Sequence, residues 1–212
     1  SSREMADLFP ASDFDDWAET YDRSVLDWRD FPFTGYEDVL AMIFTRADAQ
    51  PGLRILDLGT GTGNLALPFA RAGCELWCTD FSEPMLEKAR QKIPAARFFR
   101  NDLREPLPVK LNRSFDRIVS AYVFHHFELY EKVRIIRSLV AHHLAPEGRI
   151  VIGDIAFQDR AALEAVKMAA GDEWEDEFYW VVDETIPALQ VIGMQVEYTQ
   201  ISSCAGVFLL TR

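Results

Sequence analysis

Residues Ile55-Leu56-Asp57-Leu58-Gly59-Thr60-Gly61-Thr62-Gly63-Asn64 run a short apolar segment straight into three glycines at alternate positions. Such a segment cannot continue as a strand, because each glycine forfeits side-chain packing and costs backbone entropy. It suits a sharp turn where a ligand touches the main chain, followed by a helix whose free N–H groups favour a carboxylate or phosphate. A plain βα turn needs one glycine, not three. The dinucleotide fingerprint G-x-G-x-x-G would place its third glycine at Asn64, and here Gly63 arrives one position early. Asp80, at the end of the next predicted strand and about 20 residues past the turn, is placed to accept hydrogen bonds from ribose hydroxyls. Both readings of the glycines predict a nucleoside with a free ribose and differ in what the glycines face.

The flanking sequence frames that loop. Thr34 and Glu37 fit a capping box ahead of a helix carrying Val39, Leu40, Ile43 and Phe44, which Pro51-Gly52 stop. Strands are predicted at 54–58, 75–79, 97–99, 115–121 and 149–155. Helices are expected at 64–72, kinked by Pro68, from an N-cap at Ser82 to Pro94, and at 128–143. More helix is expected after Ala161, then strand-like runs at 195–201 and 206–210. The short gap between those runs implies a hairpin, so one terminal strand should oppose the rest. Strand–helix alternation of this kind implies βαβ units and a parallel sheet buried on both faces.

Composition narrows the setting. A chain of 212 residues, 49% apolar and 26% charged, suits one globular domain and excludes disordered and fibrous classes. No apolar run approaches the roughly 20 residues that cross a bilayer. Ser1 to Pro10 carries neither a basic nor an apolar signal region, and Cys74, Cys78 and Cys204 show no C-x-x-C spacing. No disulfide framework or structural zinc is therefore expected, and a cytoplasmic location is. A formal charge of −12 repels polyanions, so neither nucleic acid nor membrane is expected as a partner.

Beyond the loop, Asp80-Phe81-Ser82-Glu83-Pro84-Met85, Asn101-Asp102-Leu103, Phe115 to Ala121 and Leu144 to Arg149 follow in order. From Phe14 to Arg212 this order and spacing resembles the class I S-adenosylmethionine-dependent methyltransferases, in particular a small, uncharacterised Firmicute-type subgroup sharing Tyr122 to Phe127. The resemblance implies a doubly wound α/β fold: a seven-stranded, mostly parallel Rossmann-like sheet with an antiparallel C-terminal strand and an N-terminal helical lid. Residues 1–50 would form the lid, 51–212 the core, and 158–185 an acceptor-side insertion. It also implies S-adenosylmethionine as cofactor and S-adenosylhomocysteine (SAH) as product. Asp57 and the backbone of Gly59, Thr60 and Gly61 would hold the methionine end, and Asp80 the ribose. Phe81 and Met85 would flank the adenine, Asp102 would accept from its amino group, and Leu103 would add a backbone contact. Ser120 and Ala121 would offer carbonyls to the ammonium, and Tyr21 would be a lid contact. Met85 also reads as core filler, and Asp102 as a turn or cap residue.

Methyl transfer is an in-line displacement, so alignment carries much of the acceleration, and an amine or hydroxyl acceptor must also lose a proton. His125 and His126, just past the fourth strand, sit where a doubly wound sheet opens its crevice and are candidates for that base. Adjacent histidines are expected to point in different directions, one of them fixing the loop through a backbone hydrogen bond. His142 and His143 fit compensation of a helix dipole. No metal site is expected, Asp154 being a distant possibility. The acidic-aromatic block Asp172 to Trp180 reads either as a cover over a hydrophobic or cationic acceptor or as a solvated helix whose aromatics pack down. The expected protein is a monomer or homodimer that methylates a small molecule. A non-catalytic S-adenosylmethionine-binding module and a Rossmann-type NAD(P)-dependent oxidoreductase are the alternatives.

Overall fold

The computed structural model describes residues 31–212. The expected lid contact at Tyr21, and the first thirty residues of the expected 1–50 lid, lie outside the described residues. Helix α1 (Tyr36–Ala47), the remainder of that segment, is a core element: Val39, Leu40, Ile43 and Ala47 are fully buried. Its closeness to the sheet requires Gly153, where an added Cβ would lie 2.5 Å from Val39 and 2.6 Å from Ile43.

Strands β1 (Arg54–Leu58), β2 (Glu75–Asp80), β3 (Arg97–Arg100), β4 (Phe115–Ala121) and β5 (Leu144–Phe157) run parallel, as their βαβ spacing predicts. Between them come α2 (Ala66–Arg71), α3 (Glu83–Lys92) and α4 (Leu129–His142), and after them α5 (Arg160–Ala170), β6 (Trp180–Val181) and α6 (Val182–Val191). The terminal hairpin of β7 (Gln195–Gln200) and β8 (Ala205–Thr211) inserts β8 antiparallel to β5, completing the order β3-β2-β1-β4-β5-β8-β7. The seven-stranded, mostly parallel sheet of the sequence reading is therefore present, with β6 added against the end of β5. Successive strand residues feed opposite cores. Leu56, Ile118, Ile150 and Phe208 pack with Ile136 of α4 and Leu189 of α6. Ile55, Val119, Val151 and Val207 pack with α1 and with Phe69 of α2. Cover on both faces is why these strands are apolar runs without alternation.

Several local expectations give way. α1 has Gly35 as its N-cap, at φ +80°, so Thr34 does not hold the N-cap position that the expected capping box requires. Pro68 does not kink α2, because the helix starts at Ala66 and its first turn needs no N–H at that position. β5 begins at Leu144, five residues before the expected start, with an irregularity in its pairing to β4 between Phe115 and Arg117. Among the described residues no helix is long and apolar enough to cross a membrane.

Candidate active site

The glycine loop closes over the carboxyl ends of β1 and β2. Thr60 N–H donates to the Thr79 carbonyl at 2.8 Å. The Asp80 carboxylate accepts from Gly61 N–H through Oδ2 and from Ser82 N–H through Oδ1, both at 2.8 Å. Asp80 thus ties the loop after β1 to the start of α3, and each oxygen keeps a lone pair for a further donor. Gly59, at φ +71°, admits no side chain, since a Cβ would meet Val123 Cγ2 at 2.3 Å. Beneath the loop, Asp57 is 1% exposed and accepts from Thr60 Oγ1 at 2.6 Å. Burial pushes its carboxyl up from 3.8 to about 7; the Thr60 hydroxyl opposes that rise and the Asp80 charge adds to it.

These residues line a cavity of about 690 Å³, within the range of small-molecule sites. Thr62 Oγ1, Asn101 Oδ1 and the Tyr122 hydroxyl, all on residues of its wall, are buried without a hydrogen-bond partner among the described residues. Unpaired buried groups cost roughly 1–3 kcal/mol each. Among the described residues the wall is acidic, with Asp57, Asp80, Asp102, Glu173, Glu175 and Glu177 against the guanidinium of Arg104. A polar nucleoside carrying positive charge fits this chemistry.

Across the cavity, the 3-10 turn Phe124–His126 presents two histidines. Asp154 of β5, wholly buried, receives the His125 ring through Nδ1 at 2.7 Å. It also accepts from His125 N–H and Ile155 N–H at 2.8 Å and from Trp180 Nε1 at 2.9 Å. Burial works against an imidazolium here, but the charge and hydrogen bond of Asp154 outweigh it and hold His125 above its ordinary 6.5. Burial would likewise raise Asp154, and its hydrogen bonds with the His125 charge hold it below 3.8 instead. His126, 3.9 Å from Glu177, is lowered by burial and by its neighbour His125. The two rings lie close, with centroids 4.2 Å apart, yet take different partners, His125 the buried Asp154 and His126 the Glu177 side.

The 172–180 block is not a helix. After a 3-10 turn at Gly171–Glu173 it runs extended into β6, so Glu173, Glu175, Glu177 and Tyr179 line the cavity at alternate positions. Phe178 N–H donates to the His125 carbonyl at 2.9 Å, and the Lys132 ammonium donates to the carbonyls of both Phe127 and Phe178. Trp174 stacks on Phe31 at 4.9 Å and meets Tyr179 edge-on at 5.0 Å. The segment is thus fastened to the histidine turn at one end and to an aromatic cluster at the other.

A model described as a methyltransferase domain matches residues 55–148. An uncharacterised methyltransferase of a Geobacillus species is 33% identical over 201 residues, covering 88% of this chain and 90% of that protein. The chain belongs to this methyltransferase family. A second uncharacterised methyltransferase, from Anoxybacillus flavithermus, is 34% identical over 89% of this chain and 86% of its own length. The solved magnesium protoporphyrin IX methyltransferase of Synechocystis PCC 6803 with bound SAH superposes with a TM-score of 0.71 at 20% identity, both chains being covered in full. At that identity the likeness is one of fold.

In this methyltransferase the expected cofactor residues divide. Asp57, Gly59, Thr60, Gly61, Asp80, Phe81, Asp102, Leu103 and Ala121 line the cavity. Met85 does not: capping by Ser82 puts it in the first turn of α3, half-buried and away from the wall. Ser120 is also off the wall, its hydroxyl donating to the Leu58 carbonyl at 2.9 Å inside the β1–β4 pair. Asp102 behaves as a turn residue, its Oδ1 accepting from Arg104 N–H and Nε and its Oδ2 from an Arg104 terminal nitrogen. That pairing keeps its carboxyl below the ordinary range. His143, expected to compensate a helix dipole, instead bonds the Leu111 carbonyl at 3.0 Å, and burial lowers its pKa. Asp154 as the histidine's partner was not singled out; the 29 residues separating it from His125 leave only its place after the fifth strand as a signal. Among the described residues no cluster of three or more His, Cys, Asp or Glu side chains could hold a metal ion, and the three cysteines are free thiols.

Proposed function

We propose that this protein transfers the methyl group of S-adenosylmethionine to a small molecule whose reacting atom must shed a proton, with His125 as the base. When bound, the cofactor supplies an electrophilic methyl on a sulfonium centre. The residues present fit it: the glycine loop and Asp57 would face its methionine end and Asp80 its ribose, and the acidic wall suits its positive charge.

The observation that carries the proposal is the His125–Asp154 pair on the wall of that cavity. Asp154 accepts from Nδ1, which fixes the neutral tautomer with its lone pair on Nε2. It also stabilises the imidazolium that forms when the acceptor's proton arrives, and a base positioned in this way contributes roughly 10²–10⁴-fold. The extended segment with Glu173, Glu175, Glu177 and Tyr179 forms the acceptor face; its carboxylates repel an anionic acceptor and draw a neutral or cationic amine. A merely cofactor-binding module would have no use for a buried, fourfold-bonded carboxylate behind a cavity histidine.

A panel of amines, phenols, thiols and carboxylic acids, screened with methyl-labelled S-adenosylmethionine, tests this reading. Label should enter an amine or hydroxyl compound, and in single turnover with that compound His125→Gln should fall about 100-fold or more while His126→Gln stays within a few-fold. Wild-type rates in His125→Gln would remove it as the base.

A further inference from the structure

We propose that Lys132 is a positioning residue that ties the acceptor face to the His125 turn and sets a positive charge beside that base; the proposal rests on the reading of the site above. Lys132 lies on the inner face of α4 with Ile135, Ile136 and Leu139. It is 2% exposed and is not part of the cavity wall. An ammonium taken out of water among aliphatic side chains destabilises a fold unless its donors are used. Burial pushes its pKa down from 10.5 to about 8, against the pull of the Asp154 charge, so the side chain still carries its proton at pH 7.

That ammonium reaches three parts of the site. It donates to the Phe127 carbonyl at 2.6 Å, at the end of the histidine turn, and to the Phe178 carbonyl in the extended segment. Nζ also lies over the Trp180 ring, 5.0 Å from its centroid, and the indole N–H of that ring donates to Asp154 at 2.9 Å. Phe178 is where the segment is held. Its side chain is 47% exposed, so burial does not anchor it. Its main chain does, the N–H donating to the His125 carbonyl at 2.9 Å and the carbonyl accepting from Lys132. The residues on either side, Glu177 and Tyr179, line the cavity. Pinning one peptide unit of an extended chain therefore places two side chains of the acceptor face against the histidine turn. A neutral side chain of the same length would fill the space, but it would withdraw the shared donor and the charge that disfavours the His125 imidazolium.

Lys132→Met, nearly isosteric and uncharged, tests this without any turnover. In hydrogen exchange the Phe178 amide should open about tenfold more readily, because a hydrogen bond from a charged group is lost beside it. His125 should titrate at a higher pH in NMR spectra of the histidine rings, since a neighbouring cation is gone while Asp154 remains. Calorimetric SAH affinity should stay within about threefold, the lysine being off the wall. A side chain that only fills space would leave the Phe178 amide and the His125 titration unmoved. Either of those results, or an SAH affinity that collapses along with them, overturns the proposal. If Lys132→Met does not fold, the wild type decides: the protons on Lys132 Nζ should exchange at least about tenfold more slowly than those of the exposed Lys110, and equal rates overturn the proposal. Wild-type protein that fails to bind SAH tells against the cofactor reading alone, because exchange and titration still decide the role of Lys132.

Discussion

Replacing Asp57 by Asn should make the ligand-free protein more stable at pH 8 and weaken its hold on S-adenosylmethionine. Asp57 is wholly buried, and its carboxyl is raised from 3.8 to about 7, chiefly by desolvation. Its folded value lies above its unfolded one. The stability it contributes is therefore fully present below pH 3.8 and is lost as pH rises through about 7. A tenfold change in proton affinity is about 1.4 kcal/mol, so the ionised side chain costs the fold up to about 4 kcal/mol above pH 7. Asn is nearly isosteric, carries no charge at any pH, and can still accept from the Thr60 hydroxyl that donates at 2.6 Å to Asp57. The melting temperatures of the two proteins should coincide below pH 3.8 and diverge up to pH 7.5, with the variant higher by up to about 16 °C. Differential scanning fluorimetry across that range reads the effect directly. A gap that stays constant with pH would refute the claim that a buried anion is held in the wall. Wild-type protein should also bind the cofactor more tightly as pH rises through 7, because a cation favours the ionised carboxylate.

Asp80→Ala removes the acceptor of two backbone amides as well as the ribose partner. SAH affinity should fall at least tenfold while cooperative urea unfolding survives; unchanged calorimetric affinity would contradict the ribose placement. Gly59→Ala places a Cβ 2.3 Å from Val123 Cγ2 at φ +71°, which should cost at least about 1–3 kcal/mol in urea unfolding. Val123→Ala in the same chain should recover part of that loss, and full additivity of the two changes would argue against the contact. For the proposed base, turnover should rise with pH as His125 loses its proton, with an apparent pKa above 6.5. Asp154→Asn should move that limb to lower pH, because the charge that holds the value up is gone; an unmoved limb would dissociate it from His125.

The parts of the fold that sequence reveals here are those set by local chemistry. The glycines at 59, 61 and 63 all adopt positive φ at the turn their spacing demands, and Ser82 caps α3 where its hydroxyl predicts. Apolar runs at 54–58 and 115–121 announce central strands because both of their faces are covered. What sequence leaves dark depends on contacts across the sheet. β6 is two residues long, and its Trp180 is held by a hydrogen bond to Asp154, 26 positions earlier. The 172–180 block has helix-compatible residues, yet bonds to His125 and Lys132 draw it out straight. Met85 and Asp102 both match the family's order, yet only Asp102 reaches the cavity wall, its carboxylate bonded by Arg104, while Met85 serves a helix start.

The most direct measurement is the structure of this protein crystallised with SAH. The account predicts the ribose hydroxyls on the Asp80 carboxylate, the homocysteine portion against the loop from Gly59 to Gly63, and the sulfur turned toward His125. SAH bound elsewhere, or seated with its sulfur facing away from His125 and the 173–179 wall, would contradict it.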